Sequence, residues 1–357
     1  MHVVLAGGGT AGHIEPALNT ADALRARDCG ISLSVLGTER GLETTLVPAR
    51  GYSLTLIPAV PLPRALNADL VSLPRRLTKA VEQVAEHLTS THADVVVGFG
   101  GYVSLPAYLA ARRLNIPIVV HEANAKPGLA NRVGARFAAA IVDTVAGSIK
   151  GATTLGLPLR FAIRQFDKQS AAVAAMELWP LRPERPVLLV FGGSQGARHL
   201  NDVVREAADS IIEMGFDVLH SVGRNNNDQL VTGTAGYVTV PYIDRMDFAY
   251  GAASVAVTRA GAMTVAELTA VGLPAIYVPL PIGNGEQRLN AAAVVQAGGG
   301  EMIDDSKFTA ATLVEVLSRW QHEGLAKRAE AAASCGHKND VDMFVDIILK
   351  TAQRSTS

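Results

Sequence analysis

Two strand–glycine turn–helix signatures, about half a chain apart, constrain this sequence more than anything else in it. From Val3 to Ala17 an apolar strand runs into Gly7-Gly8-Gly9-Thr10-Ala11-Gly12-His13 and then into a helix. From Val187 to Val203 the same grammar recurs around Gly192-Gly193-Ser194-Gln195-Gly196-Ala197-Arg198. A second pair follows in the same order. Gly100-Gly101-Tyr102-Val103-Ser104 comes after a strand, with Ile116-Pro117 opening the next one; Arg259-Ala260-Gly261-Ala262-Met263-Thr264 does likewise, with Leu273-Pro274. Any α/β protein repeats strand–helix units, but two pairs of landmarks in one order predict twin Rossmann-like domains.

Short apolar runs occupy residues 2–6, 32–36, 95–98, 116–120, 140–142, 187–191, 217–221, 255–258 and 275–278. They are continuous rather than alternating, as parallel strands covered on both faces require. Residues 16–27 and 200–214 read as amphipathic helices between them. The expected fold class is α/β, with two mainly parallel sheets facing a central cleft. A chain of 357 residues suits two such domains. The expected bounds are 1–160 and 161–339, joined near Gly156-Leu157-Pro158-Leu159-Arg160, with a last helix at about 340–357 returning to the first domain.

A formal net charge of −1 argues against a general nucleic-acid binder. The two cysteines, Cys29 and Cys335, have no metal-ligand spacing, and His13, His87, His92 and His121 are scattered; no disulfide framework or zinc site is expected. No signal peptide or run of about 18 apolar residues is visible, so a cytoplasmic chain with peripheral membrane contact is expected.

A glycine turn at a helix start presents backbone N–H groups at the positive end of the helix dipole, which favours phosphate. Gly7, Gly9 and Gly12 satisfy the dinucleotide spacing, but the strand ending Val35-Leu36-Gly37-Thr38 lacks the acidic partner of a nicotinamide site. No P-loop is present. His13 is either a helix-start histidine bonding locally or a general base whose pKa the dipole lowers. Glu267 is either a carboxylate favoured by the dipole or an acceptor for both ribose hydroxyls of a nucleotide. The loop Gly283-Asn284-Gly285-Glu286-Gln287-Arg288-Leu289-Asn290 follows a strand, and is either a lining of the ligand crevice, as in open α/β sheets, or a plain surface loop.

Taken together, these residues resemble the MurG family of bacterial peptidoglycan N-acetylglucosaminyltransferases over nearly the whole chain. The markers are Gly8-Gly9-Thr10-Ala11-Gly12-His13, Gly100-Gly101-Tyr102-Val103-Ser104, His121-Glu122-Ala123-Asn124, Gly192-Gly193-Ser194-Gln195-Gly196-Ala197, Tyr242-Ile243-Asp244, Arg259 through Glu267, and Glu286-Gln287. The resemblance implies a GT-B fold and an inverting transfer of N-acetylglucosamine from UDP-GlcNAc to the muramyl 4-hydroxyl of undecaprenyl-pyrophosphoryl-MurNAc-pentapeptide, lipid I to lipid II. It implies that Ile243 meets uracil, Glu267 the ribose, Ser194 and Arg160 the diphosphate, and Gln287 the sugar. Ala262, Met263, Thr264, Val265 and Ala266 would line the nucleotide pocket. Thr10, Ala11, Gly12 and Asn124 would complete the donor site, with His13 as catalytic base. This chain departs from the family pattern at Leu157, at Glu286 and at Glu15.

No tightly bound cofactor is expected, and no Asp-x-Asp-type pair is placed to require a divalent ion. Residues 64–79, with Leu66, Leu70, Leu73 and Leu77 beside Arg64, Arg75, Arg76 and Lys79, read either as a core helix interrupted by Pro74 or as a basic-rimmed patch docking on the inner face of the cytoplasmic membrane. Rival readings are another GT-B UDP-sugar transferase, a UDP-sugar epimerase, a nicotinamide-dependent dehydrogenase and a nucleotide-sensing module.

Overall fold

The computed structural model describes residues 1–39, 41–60, 69–193, 196–231, 233–281 and 285–353, with the side chains of 69–72 outside the description. The chain divides into two compact units, Met1–Phe161 with Asn339–Ser357, and Ala162–Lys338. The first holds β1 (His2–Gly7), β2 (Ser32–Gly37), β3 (Ser53–Leu56), β4 (Val95–Gly100), β5 (Ile118–Glu122), β6 (Ala140–Asp143) and β7 (Thr153–Thr154), in sheet order β3-β2-β1-β4-β5-β6-β7. The second holds β8 (Val187–Phe191), β9 (Asp217–Ser221), β10 (Tyr237–Val240), β11 (Ala253–Thr258), β12 (Ala275–Tyr277) and β13 (Gly300–Met302), in order β10-β9-β8-β11-β12-β13. Every strand pair is parallel. Both sheets therefore wind outward from a central pair, β1 beside β4 and β8 beside β11. This is the doubly wound arrangement, and its switch point lies between those two strands.

Burial on both faces explains the continuous apolar strands. Val3, Leu5, Val95 and Val97 pack on one side of the first sheet, while Val4, Ala6, Val96 and Val120 pack on the other. The final helix, Asp340–Gln353, contributes Val341, Phe344, Val345 and Ile348 to the first of those layers. The Asp340 carboxylate accepts the Gly156 N–H at 2.7 Å and fastens the same helix to the end of the first unit's sheet.

The four strands that the apolar runs leave unmarked, β3, β7, β10 and β13, are the four sheet edges. An edge strand has one neighbour and less to bury, so its sequence need not be continuously apolar: Leu56 of β3 is exposed, as are both threonines of β7. β5 starts at Ile118 rather than at 116, because Pro117 has no N–H and takes part only through its carbonyl, which accepts from Val96. The first helix begins at Ala11, five residues before Pro16. Pro74 does not interrupt its helix either, which runs through it as Asp69–Ser90.

Candidate active site

In the first unit, the turns leaving β1 and β4 meet at the switch point. His13 stands in the first turn of the helix Ala11–Arg27, half-buried, with Nδ1 3.1 Å from Thr10 Oγ1. Its ring lies against the glycine turn that leaves β4. A side chain at Gly100 would put Cβ 3.1 Å from His13 Nε2, and at Gly101 2.3 Å from the Gly8 carbonyl oxygen, while both residues adopt positive φ. Glycine is thus required there by conformation and by crowding. Burial holds the His13 pKa below that of an ordinary histidine, with Glu122, the Gly8 backbone and Glu43 opposing it. The imidazole is kept neutral mainly by desolvation.

The first glycine turn is also occupied from within. Glu43, fully buried, accepts the Gly9 N–H at 3.0 Å through Oε2, and the Thr38 N–H and hydroxyl at 2.8 and 2.9 Å through Oε1. A Cβ at Gly8, Gly37 or Gly41 would collide with this side chain, so those three glycines make room for a carboxylate of the protein itself. Burial pushes the Glu43 pKa up, but the hydrogen bonds from Gly9 and Thr38 outweigh it and hold the group below the usual carboxylate range. An internal anion thus already occupies the Gly9 N–H of this turn.

Glu122, at the end of β5, organises the adjoining loop. Its Oε1 accepts from the Asn124 N–H at 3.0 Å, and its Oε2 from the Gly128 N–H at 3.0 Å and Asn131 Nδ2 at 2.9 Å. Asn131 in turn accepts the Tyr108 hydroxyl at 2.7 Å. Asn124 is therefore pinned next to the carboxylate whose charge opposes the lowering of the His13 pKa. Two of the chain's departures also find partners. Glu15 pairs with Arg50 at 2.6 Å, and Leu157 is buried. Arg160, half-buried, is the penultimate residue before the chain leaves the first unit.

In the second unit the candidate donor residues gather at the C-terminal ends of the strands. The helix Arg198–Glu213 starts after the turn that leaves β8, and the helix Ala262–Val271 after the turn that leaves β11, the two central strands. Ala262, Met263 and Thr264 form the first turn of the latter helix, with Val265 and Ala266 behind them. Glu267 follows, buried, and accepts the Tyr250 hydroxyl at 2.9 Å. Ile243 is buried beyond the end of β10. Gln287 turns its carbonyl oxygen to the N–H groups of Ala260 and Leu280 at 3.2 and 2.9 Å. Arg259 ties the ends of β11 and β12 together, donating to the carbonyls of Val278 and Pro279 and to Asp305. Burial disfavours the Asp305 carboxylate, yet hydrogen bonds from Arg259 and His199 hold its pKa low.

Ser194 lies outside the described residues, as do Arg64 and Leu66 of the basic segment. Within the helix Asp69–Ser90, Leu73 and Leu77 are half-buried and Arg75 and Lys79 are exposed. Among the described residues, no cluster of three or more His, Cys, Asp or Glu could hold a metal ion, and no helix is long and apolar enough to cross a membrane. Glu43 and Tyr250 went unrecognised in the sequence. Their partners lie 34 and 17 positions away, so no local spacing marks them.

Two Rossmann-like units, each with its crevice at the switch point of a parallel sheet, define the class as a GT-B glycosyltransferase. Residues 3–142 match the glycosyltransferase family 28 N-terminal domain and residues 187–345 the family 28 C-terminal domain. The chain belongs to glycosyltransferase family 28. It is 52% identical to a UDP-N-acetylglucosamine–N-acetylmuramyl-(pentapeptide) pyrophosphoryl-undecaprenol N-acetylglucosamine transferase of Streptomyces avermitilis, over 98% of each chain. It is also 52% identical to the enzyme of the same name from Mycobacterium sp. strain KMS, over 99% of this chain and 96% of the relative. Among solved structures it is similar to MurG of Acinetobacter baumannii, at 26% identity and a TM-score of 0.77, covering 98% of this chain and 99% of that one. The calicheamicin glycosyltransferase shares the fold at 17% identity and a TM-score of 0.72, covering 100% and 99%.

Proposed function

We propose that this chain transfers N-acetylglucosamine from UDP-GlcNAc to the muramyl 4-hydroxyl of undecaprenyl-pyrophosphoryl-MurNAc-pentapeptide, converting lipid I to lipid II in peptidoglycan synthesis. The observation that carries this reading is identity of 52% across 98% of the chain with an enzyme named for that transfer. The second unit takes the donor. Ile243 addresses uracil through its backbone, Glu267 takes the ribose hydroxyls, and the Gln287 amide nitrogen reaches the sugar. Ser194, Arg160 and the N-terminal turn of Arg198–Glu213 stabilise the charge that grows on the departing diphosphate.

The first unit supplies the base. Nδ1 of His13 is engaged by Thr10, which leaves Nε2, beside Gly100, to take the proton. The acceptor hydroxyl attacks the anomeric carbon as the bond to UDP breaks, with inversion; its proton passes to His13. A histidine held neutral by burial suits that role. Thr10, Ala11, Gly12 and Asn124 complete the sugar's surroundings. The acceptor is lipid-linked, so the chain works at a membrane surface, the inner face of the cytoplasmic membrane. Arg75, Arg76 and Lys79 supply charge for anionic lipid, with Leu73 and Leu77 among them.

The test is transfer of labelled sugar from UDP-GlcNAc to the lipid-linked muramyl-pentapeptide, beside a reaction without acceptor. A labelled lipid disaccharide supports the reading. Consumption of donor without acceptor points to an epimerase or hydrolase, and transfer only to other acceptors points to another GT-B enzyme.

A further inference from the structure

Glu43 has no part in the reaction as read above, yet a single peptide unit separates it from His13. The Gly9 N–H donates to Glu43 Oε2 at 3.0 Å, and the carbonyl of that same peptide belongs to Gly8. The peptide is trans, so its N–H and C=O point in opposite directions. On the far side, the Gly8 carbonyl is a hydrogen-bond acceptor for the His13 ring. A Cβ built on Gly101 would lie 2.3 Å from the Gly8 oxygen and 3.3 Å from His13 Nδ1, whereas one on Gly100 would meet Nε2 at 3.1 Å. The carbonyl therefore borders the Nδ1 side of the ring.

Such a peptide does not hold itself. Turning it end for end changes only ψ of Gly8 and φ of Gly9. Neither residue carries a side chain, and Gly9 already has a φ of 88°. A flipped unit would present an N–H to the ring, and Nδ1 would become the acceptor. Glu43 opposes that flip. The buried carboxylate is itself fixed, because its Oε1 accepts the Thr38 N–H and hydroxyl at 2.8 and 2.9 Å. Its bond to the Gly9 N–H belongs to the stronger, charge-assisted class, and a flip would set the Gly8 oxygen against the same negative charge.

We infer that Glu43 is a positioning residue for sugar transfer, locking the Gly8–Gly9 peptide with its carbonyl toward His13. The resting proton then sits on Nδ1, and Nε2 receives the proton of the acceptor hydroxyl. Thr10 Oγ1, 3.1 Å from Nδ1, fits this tautomer as a second acceptor. Once Nε2 is protonated the ring is a cation, and its bond from Nδ1–H to the Gly8 carbonyl strengthens. The inference rests on the proposed role of His13 as base, and its test includes a readout that does not depend on that role.

Histidine labelled with ¹⁵N in the ring is incorporated, and NMR reads the His13 tautomer in the unaltered chain and in Glu43→Gln. His13→Ala identifies the resonance. Gln keeps the shape and one acceptor oxygen but removes the charge. Turnover with UDP-GlcNAc and the lipid-linked acceptor is measured on the same samples, while His2, His87 and His121 report on the fold of the same unit.

Nδ1–H should dominate in the unaltered chain. In Glu43→Gln it should fall to about one molecule in ten, with the other three histidines unmoved, and turnover should drop about tenfold with it. A proton on Nε2 in the unaltered chain overturns the inference without any variant. An unshifted tautomer in Glu43→Gln overturns it alone and leaves His13 as base. Movement of all four histidines assigns the carboxylate to the fold and not to positioning. A shifted tautomer with full turnover also overturns the inference, and if His13→Ala turns over normally as well, the base reading falls with it.

Discussion

His220 lies on β9 at the centre of a closed polar network, and the second unit should lose stability as pH falls because of it. The residue is 1% exposed. Its Nδ1 is 2.9 Å from the Tyr237 hydroxyl and its Nε2 is 3.0 Å from Asn201 Oδ1. Asn201 spends its amide hydrogens on the Val222 carbonyl and Gln229 Oε1, so Oδ1 accepts and His220 carries its proton on Nε2. Nδ1 then accepts from Tyr237. A second proton on the ring would remove that acceptor inside an apolar core. Burial pushes the His220 pKa down to about 3, against 6.5 for an ordinary histidine. With the folded value depressed, the contribution is complete above pH 6.5 and is lost on going down toward 3, because only the unfolded chain binds the proton in that window. The slope is about 1.4 kcal/mol per pH unit, so moving from pH 7 to pH 5 costs about 2 kcal/mol. Trp179 and Trp320 both belong to the second unit, so urea unfolding followed by tryptophan fluorescence reports on that unit. Carboxylates titrate in the unaltered protein and in His220→Gln alike, and the quantity to compare is the difference in their pH 7-to-5 losses. A difference of about 2 kcal/mol is expected; equal losses in the two proteins would show that His220 is not the titrating group.

Three further perturbations probe other parts of the account. Glu43→Ala strips the acceptor from the N–H groups of half-buried Gly9 and buried Thr38; leaving a buried donor unpaired costs about 2 kcal/mol, so protection of the Thr38 amide from hydrogen exchange should fall roughly thirtyfold, and unchanged protection would count against the cradle. His121 is buried between Phe99 and Phe344, neither ring nitrogen has a hydrogen-bond partner among the described residues, and burial pushes its pKa down to about 3. His121→Leu should therefore make amide exchange in β5 less sensitive to acidification between pH 7 and 5, and an unaltered sensitivity would show that the histidine is not the titrating group. Replacing Arg75, Arg76 and Lys79 together by Gln should weaken partitioning onto anionic vesicles by about 3 kcal/mol, roughly a hundredfold, while partitioning that stays the same would remove the basic rim from the membrane reading.

The fold could be read from the sequence wherever the physics is local. Continuous apolar runs mark the sandwiched strands and stop short at the edges, where β3, β7, β10 and β13 bury less. Glycine turns mark the switch points because strand, turn and helix are contiguous in the chain. What escaped is whatever depends on distant pairs. Glu43 reaches back 34 residues to Gly9, and Tyr250 reaches forward 17 to Glu267. Gly8, Gly37 and Gly41 carry no distinguishing mark in the sequence until the carboxylate that needs their space is in view. Proline misled in the opposite direction. Pro16 and Pro74 suggest helix boundaries, but packing along the helix tolerates the loss of one hydrogen bond at each.

In the proposed reaction, nucleotide binding belongs to the second unit and proton removal to His13 of the first. His13→Ala, assayed for turnover with saturating substrates and for UDP affinity on the same sample, separates the two. Turnover should drop at least about a hundredfold with UDP binding little changed. Near-normal turnover, or a loss of affinity in step with the loss of rate, would contradict this assignment.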